Sequence, residues 1–174
     1  MKLSFLNQNK PLLTNMVRDE TTGKCIAAVK NAIYDEADAF GLHLSCLKPE
    51  YRNAESYKRI FAAMGQRPVY LTSYRGQSNE NLSDESCMEV AVEALEAGGT
   101  LCDIMGDAFD RSPMELTHDR QAIAKQKELI DRVHCLEKEV LMSSHVLRFL
   151  PAEQVLEIAL AHQERGADIT KSIV

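Results

Sequence analysis

The stretch EVLMSSHVLRFLPAEQVLEIALAHQERGADITKSIV, residues 139–174, decides the fold. Its apolar run at 140–142 stops in the polar residues 143–145, as expected of a buried strand that reaches a polar edge. Pro151 suits the first position of the helix that follows, and Gly166 suits the left-handed residue that ends it. A second strand then runs to the end of the stretch. The pattern predicts a strand–helix–strand unit whose strands are parallel neighbours.

Lys171 is the unusual residue of this unit. Strand alternation places its side chain on the same face as Ile169 and Ile173. An ammonium group there loses hydration, which favours the neutral, nucleophilic amine. His145 ends the adjacent strand, so the pair predicts Schiff-base chemistry with Lys171 as nucleophile and His145 as acid and base. The alternative is that Lys171 extends its ammonium past the strand end and that His145 caps a loop.

The rest of the chain repeats this alternation. Helix starts are marked by Thr21 or Thr22, Asn53 and Ser83, which are residues that cap helices. Successive strands begin roughly 30 residues apart, the period of βα units. The pattern predicts six strands and five helices around a parallel sheet, either open or closed as a barrel. The first four strands are predicted at 11–17, 37–47, 67–75 and 100–107.

Polar side chains recur where the predicted strands end. They are Thr72, Tyr74 and Arg75 on the third strand, Asp103 and Asp107 on the fourth, His145 on the fifth and Lys171 on the sixth. Catalytic groups of (β/α) barrels converge at that end of the strands. The sequence therefore favours an incomplete (β/α) barrel of the TIM type. The acidic loop at 108–118 is the longest connection before the next helix, and long loops are often functional.

Composition limits the class of protein. With 174 residues, 45% hydrophobic content and a net charge of −6, the chain predicts one domain over 1–174 and argues against nucleic acid or membrane as a partner. Five cysteines without CxxC spacing, no signal peptide and no apolar run of about 20 residues predict a soluble cytoplasmic protein. No GxGxxG or P-loop follows a strand, and no His/Asp pair of the acidic loop has metal-ligand spacing, so no cofactor or metal is predicted.

Residues 140–174 resemble type I 3-dehydroquinate dehydratase. The family has M-S-x-H at the end of its fifth strand, here 142–145, a proline before the next helix, here Pro151, and G-A-D-I-x-K, here 166–171. The resemblance implies a hydro-lyase of the shikimate pathway, in aromatic amino acid biosynthesis. Lys171 would form an imine with a keto substrate, and His145 would remove a proton beside it and assist the loss of water. Arg75 resembles the family's substrate-binding arginine.

The sequence departs from this family at three places. Gly41, Leu42 and His43 stand where the family has E-W-R, and Met105 stands where it has a second glutamate. Asp107 is a possible substitute for that glutamate, although a solvated acidic loop is the alternative. Asp103 is expected either to orient His145 or to be a hydrogen-bonded carboxylate within the strand.

The third departure is that the chain stops after its sixth strand, whereas a TIM barrel has eight. Three explanations are a fragment of a longer barrel, a homodimer in which two copies complete each other, and a divergent open sheet. Functional alternatives follow: a related Schiff-base aldolase or lyase acting on another keto compound, or a catalytically silent barrel fragment or assembly protein. A surface or helix-face position is expected for the other histidines, which are His43, His118, His134 and His162.

Overall fold

The computed structural model describes residues 3–76 and 79–173. Six strands alternate with five α-helices, and two short 3₁₀ turns, Leu44–Cys46 and Pro49–Tyr51, follow β2. The strands are β1 Thr14–Val17, β2 Ala39–His43, β3 Val69–Thr72, β4 Leu101–Met105, β5 Glu139–His145 and β6 Ile169–Ile173. The helices are α1 Thr22–Tyr34, α2 Ala54–Met64, α3 Asp84–Glu96, α4 Arg120–Cys135 and α5 Ala152–Arg165. Val174, the predicted last residue of β6, lies outside the described residues.

The strands lie in chain order, β1 to β6, in one sheet. Neighbouring strands are parallel, as in β2 and β3, where Phe40 pairs with Val69, and in β5 and β6, where Ser143 pairs with Lys171. Sequential parallel pairing with a helix in each connection is the arrangement of an α/β barrel. The prediction of an incomplete (β/α) barrel with six strands and five helices is confirmed.

The chain forms two compact units that divide within β4, between Cys102 and Asp103. In the first unit, α1, α2 and α3 begin where the sequence predicted, because Thr21, Asn53 and Ser83 each accept a hydrogen bond from a backbone N–H in the first helical turn. The helices bury apolar faces, such as Tyr57, Ile60 and Met64 of α2. Whether the chain behaves as a single domain stays a prediction.

In the second unit, Asp119 caps α4 by accepting hydrogen bonds from Gln121 and Ala122. Pro151 is the N-cap of α5, so the prediction that it occupies the first helical position is wrong by one residue. With ψ at 150°, Pro151 lies outside the helix, and its carbonyl accepts the first hydrogen bonds of the helix. Gly166 ends α5 in the predicted left-handed conformation, with φ at 107°.

The second unit has a small apolar core beside its polar strand ends. Leu116 from the β4–α4 loop packs with Val146, Leu150 and Ile158, all of them buried. This core therefore joins the β4–α4 loop, the end of β5 and α5. Among residues 3–76 and 79–173, no helix is both long enough and apolar enough to span a bilayer.

Candidate active site

β5 and β6 bring the two predicted catalytic residues to one face of the sheet. Ser143 pairs with Lys171 across the two parallel strands, and His145 lies two residues further along β5. Residues two apart in a strand point to the same side, and so do paired residues in neighbouring strands. Ser143, His145 and Lys171 therefore share a face. Lys171 lies two residues before Ile173, the last residue of β6.

Lys171 is half-buried, less than the sequence predicted. Ile173 on the same face is exposed, and Ile169 is half-buried. This exposure follows from the position of β6 in the sheet. Within the described part of the chain, β6 is the last strand in the order, and it pairs with β5 alone. The loss of hydration predicted for Lys171 is therefore only partial, and its position beside β5 is as predicted.

Asp103 lies on this face too. Its side chain is only 3% exposed, and its Oδ1 accepts a hydrogen bond of 2.6 Å from the Ser143 hydroxyl. Of the two alternatives for Asp103, the structure shows the hydrogen-bonded strand carboxylate. A role in orienting His145 stays a prediction. The contact places a carboxylate beside Ser143, whose strand partner is Lys171.

A carboxylate that the sequence did not single out, Glu115, contacts His145. Glu115 Oε2 accepts a hydrogen bond of 2.7 Å from the His145 backbone N–H, and the same oxygen lies 3.3 Å from His145 Nδ1. Both side chains are about one-fifth exposed, at 22% and 20%. An ionised carboxylate only accepts hydrogen bonds, so the Nδ1 contact requires a proton on Nδ1. In a neutral ring this leaves the lone pair on Nε2.

The backbone of Glu115 is held by hydrogen bonds at both its carbonyl and its N–H. Its φ is 43°, in the left-handed region that residues other than glycine rarely adopt. The Ser144 hydroxyl donates a hydrogen bond of 2.5 Å to the Glu115 carbonyl, and the Glu115 N–H donates to the carbonyl of Ser112. The next residue, Leu116, is inserted in the apolar core of the unit. Glu115 therefore has little freedom to move away from His145.

Arg165, at the end of α5, holds the β4–α4 loop in place by hydrogen bonds to the loop backbone. Its guanidinium is buried and donates to the carbonyls of Gly106 and Thr117, at 2.7 and 2.6 Å, and to Gln126 Oε1 at 2.9 Å. Gln126 in turn donates to the carbonyls of Gly106 and Ala108. We call these four residues, Gly106, Thr117, Gln126 and Arg165, the loop anchor. They tie both ends of the loop that carries Glu115 to α4 and α5.

His162 is fully buried on the inner face of α5, so of the two expected positions it has the one on a helix face and not the one at the surface. Its Nε2 lies 3.1 Å from the Ser144 hydroxyl oxygen. Because that hydroxyl donates its single proton to the Glu115 carbonyl, His162 Nε2 must be the donor here. Nδ1 is then a bare acceptor, and among the described residues it has no hydrogen-bond partner. Burial, reinforced by the nearby charge of Arg165, lowers the pKa of His162 to about 4.

Gly106 is required by the close approach of these groups. A Cβ atom at this position would lie 2.5 Å from the Glu115 carbonyl oxygen, 2.6 Å from His162 Nε2 and 2.7 Å from the Ser144 hydroxyl. Such distances are shorter than real Cβ contacts. A side chain at 106 would therefore push apart the groups that hold Glu115.

Asp107 is buried, so the alternative of a solvated acidic face is wrong for this residue. Its Oδ2 accepts a hydrogen bond of 2.8 Å from the Ser112 N–H, and the Ser112 hydroxyl links to the backbone of Leu116. These contacts fold the β4–α4 loop on itself. A role for Asp107 in place of the family's glutamate stays a prediction.

In the first unit, Arg75 forms a two-point ion pair with Asp84, the first residue of α3. Nε lies 2.8 Å from Oδ1 and Nη2 lies 2.7 Å from Oδ2, and Arg75 is 15% exposed. Substrate binding by Arg75 stays a prediction. Arg52, which the sequence did not single out, donates to the carbonyls of Leu47 and Ser45 and to Asn79 Oδ1.

Sequence reasoning missed Glu115, His162 and Arg165. Glu115 and His145 lie 30 residues apart, and Arg165 and Gly106 lie 59 apart, so no spacing rule connects them. One signal was available for His162, because it recurs with Val155, Ile158 and Ala159 at helical spacing. For Glu115, the length of the acidic loop was the available signal. No group of three or more His, Cys, Asp or Glu side chains suited to a metal ion occurs within the described ranges.

Comparison with known proteins identifies the fold of this chain. Neither a protein-family model nor a curated protein matches the sequence. Among solved structures, 3-dehydroquinate dehydratase from Enterococcus faecalis is 17% identical, with a TM-score of 0.74 over 99% of this chain and 70% of that one. The type I enzyme from Clostridium difficile, solved with covalently modified comenic acid, is 15% identical, with a TM-score of 0.76 over 96% and 64%.

Other barrels match less closely. Deoxyribose phosphate aldolase from Aeropyrum pernix is 14% identical, with a TM-score of 0.60 over 92% of this chain and 61% of that one. The chain spans 63% to 70% of the length of the dehydroquinate dehydratases it matches. At these identities the likeness shows the α/β barrel fold.

Proposed function

We propose that this chain is a carbon–oxygen lyase that acts on a keto compound of the 3-dehydroquinate type through an imine at Lys171. The observation that carries the proposal is the pairing of β5 and β6, which puts Lys171 opposite Ser143 and on the same face as His145. The M-S-x-H and G-A-D-I-x-K patterns at 142–145 and 166–171 support it. So does the likeness in fold to 3-dehydroquinate dehydratases.

The residues have complementary tasks in this proposal. The neutral Lys171 amine adds to the substrate ketone, and loss of water gives an iminium that withdraws electrons from the neighbouring carbon. His145 removes a proton from that carbon and returns it to the departing hydroxyl, so that water leaves. A second water then hydrolyses the imine and frees Lys171. Each step balances without an added oxidant or reductant.

Borohydride trapping tests the proposal. We expect incubation with 3-dehydroquinate and borohydride to give one adduct by intact mass, and peptide mapping to place it on Lys171. Lys171→Met should give no adduct and no turnover, because the nucleophile is gone. Lys127→Met, which removes an exposed lysine of α4, is the matched control and should behave as the parent. Parent-rate dehydration by Lys171→Met would contradict the proposal.

A second candidate keeps the lysine chemistry but changes the substrate. It is favoured by Gly41, Leu42 and His43, which stand where the resembled family has E-W-R, and by the fold likeness to an aldolase. A panel of ketones and aldehydes trapped with borohydride separates the two candidates. Adducts with dehydroquinate alone would remove the second, whereas absence of any adduct from the folded protein would favour a binding or assembly role.

A further inference from the structure

One oxygen atom of Glu115 meets His145 at two points, at its backbone N–H and at Nδ1. We infer that Glu115 is a positioning residue for His145, which selects the Nδ1–H tautomer and so keeps the lone pair on Nε2. The inference rests on the proposed function, in which His145 is the acid and base. It adds a residue from the β4–α4 loop to a site otherwise made of strand residues.

The two contacts do different things. The bond to the His145 N–H, at 2.7 Å, fixes the carboxylate against the end of β5. The longer contact to Nδ1, at 3.3 Å, then restricts the rotation of the imidazole ring. A base held by an oriented carboxylate presents a single nitrogen to the substrate, which is the arrangement that acid–base catalysis requires.

The backbone of Glu115 supports this role. Among the described residues, three glutamates adopt the left-handed region, but Glu36 and Glu137 are exposed and follow the ends of α1 and α4. Glu115 lies instead inside a loop, with its carbonyl bonded to Ser144 and its neighbour Leu116 in the apolar core. Strained backbone of this kind persists where the surroundings impose it, and it concentrates at functional sites.

A purely structural role for Glu115 makes a different prediction. If Glu115 only closes the loop on β5, glutamine should replace it, because the amide oxygen still accepts from the His145 N–H. If Glu115 sets the tautomer, glutamine should fail. The amide adds two donors beside Nδ1, which then favour a ring with the lone pair on Nδ1 and the proton on Nε2.

The experiment combines nitrogen-15 NMR of the imidazole rings with kinetics. We expect the parent protein to hold His145 as the Nδ1–H tautomer, and Glu115→Gln to lose that preference. Turnover of 3-dehydroquinate should fall about 100-fold in Glu115→Gln, the scale of an acid–base contribution. Borohydride trapping at Lys171 should change much less. Glu137→Gln is the matched control, the same change at an exposed left-handed residue, and should match the parent in all three.

The readouts separate this inference from the proposed function. The tautomer is measured without substrate, so it tests Glu115 even if the parent protein forms no adduct. An Nε2–H tautomer in the parent would overturn the inference, and that result requires no variant to fold. Parent-like tautomer and turnover in Glu115→Gln would also overturn it. Absence of an adduct with 3-dehydroquinate in the parent protein would instead overturn the proposed function.

Discussion

Arg75 in the first unit and Arg165 in the second satisfy their guanidinium groups in opposite ways. Arg75 meets the carboxylate of Asp84 at two points, whereas Arg165 meets the carbonyl oxygens of Gly106, Thr117 and Gln126. A carboxylate partner neutralises the charge, and both members of such a pair can be replaced together. Two of the acceptors of Arg165, the carbonyls of Gly106 and Thr117, belong to the backbone and cannot be replaced by mutation. Arg165 is therefore the less substitutable residue, and it determines the geometry of the loop that carries Glu115.

The comparison is tested most strongly by Arg165→Met. Removing this guanidinium takes the donor from the Thr117 carbonyl and from Gln126 Oε1, and each buried acceptor left unsatisfied costs about 1–3 kcal/mol, so we expect the free energy of unfolding to fall by about 3–5 kcal/mol. Urea denaturation followed by circular dichroism measures it. Arg148→Met, at an exposed arginine of the same unit, should change stability by less than about 0.5 kcal/mol. Equal losses in the two variants would show that the loop anchor contributes nothing special.

His162 makes the second unit sensitive to acid. Its pKa is about 4 in the folded protein, below the ordinary 6.5, so the unfolded chain binds the proton more readily. Stability from this residue is fully present above pH 6.5 and is lost as pH falls through about 4, by about 3 kcal/mol in total. Urea titrations at several pH values should show a shallower decline for His162→Met than for the parent.

The exposed His118 supplies the control for that measurement. His118→Gln should keep the parent's dependence on pH, because no buried imidazole has been removed. If the free energy of unfolding fell equally steeply with pH in the parent and in His162→Met, burial of the His162 imidazole would not be the cause of the acid sensitivity.

The smallest effect is expected at the Arg75–Asp84 pair. Arg75 is 15% exposed and Asp84 8%, so the pair is largely buried, but in Asp84→Asn the amide oxygen still accepts a hydrogen bond from Arg75. Asp84→Asn should lower the free energy of unfolding by about 1–2 kcal/mol, and a double-mutant cycle with Arg75→Met should recover part of that loss. A loss at Asp84 as large as that at Arg165 would remove the contrast between the two arginines.

Local rules were sufficient for the framework of the fold. The helices begin and end as their residue types predict. A side-chain oxygen caps the N-terminus at Thr21, Asn53 and Ser83. Glycine tolerates the left-handed conformation that ends α5 at Gly166. The alternation of strands and helices predicted a parallel sheet, and the polar residues at the strand ends favoured the barrel arrangement that the sheet order shows. Pro151 was misplaced by one residue, because the fixed φ of proline is compatible with the extended N-cap residue as well as with the first helical residue.

The site was only partly predictable. Lys171 and His145 could be paired because neighbouring parallel strands bring their ends together. The partners of Glu115, His162 and Arg165 depend on how a loop folds back over α5, and neither propensity nor periodicity encodes that path. Their exact contacts are tertiary, which is why a surface position was among the expectations for the fully buried His162.

The distances along the chain between Arg165 and its partners have a consequence for the order of folding. Arg165 closes contacts over 39, 48 and 59 residues, and contacts of such separation form late because the intervening chain must first be ordered. We therefore expect the loop anchor, and with it the position of Glu115 beside His145, to form after α5 has docked. On a ribosome, the β4–α4 loop would stay unformed until α5 had emerged, so that any chemistry of this face would begin only after that point.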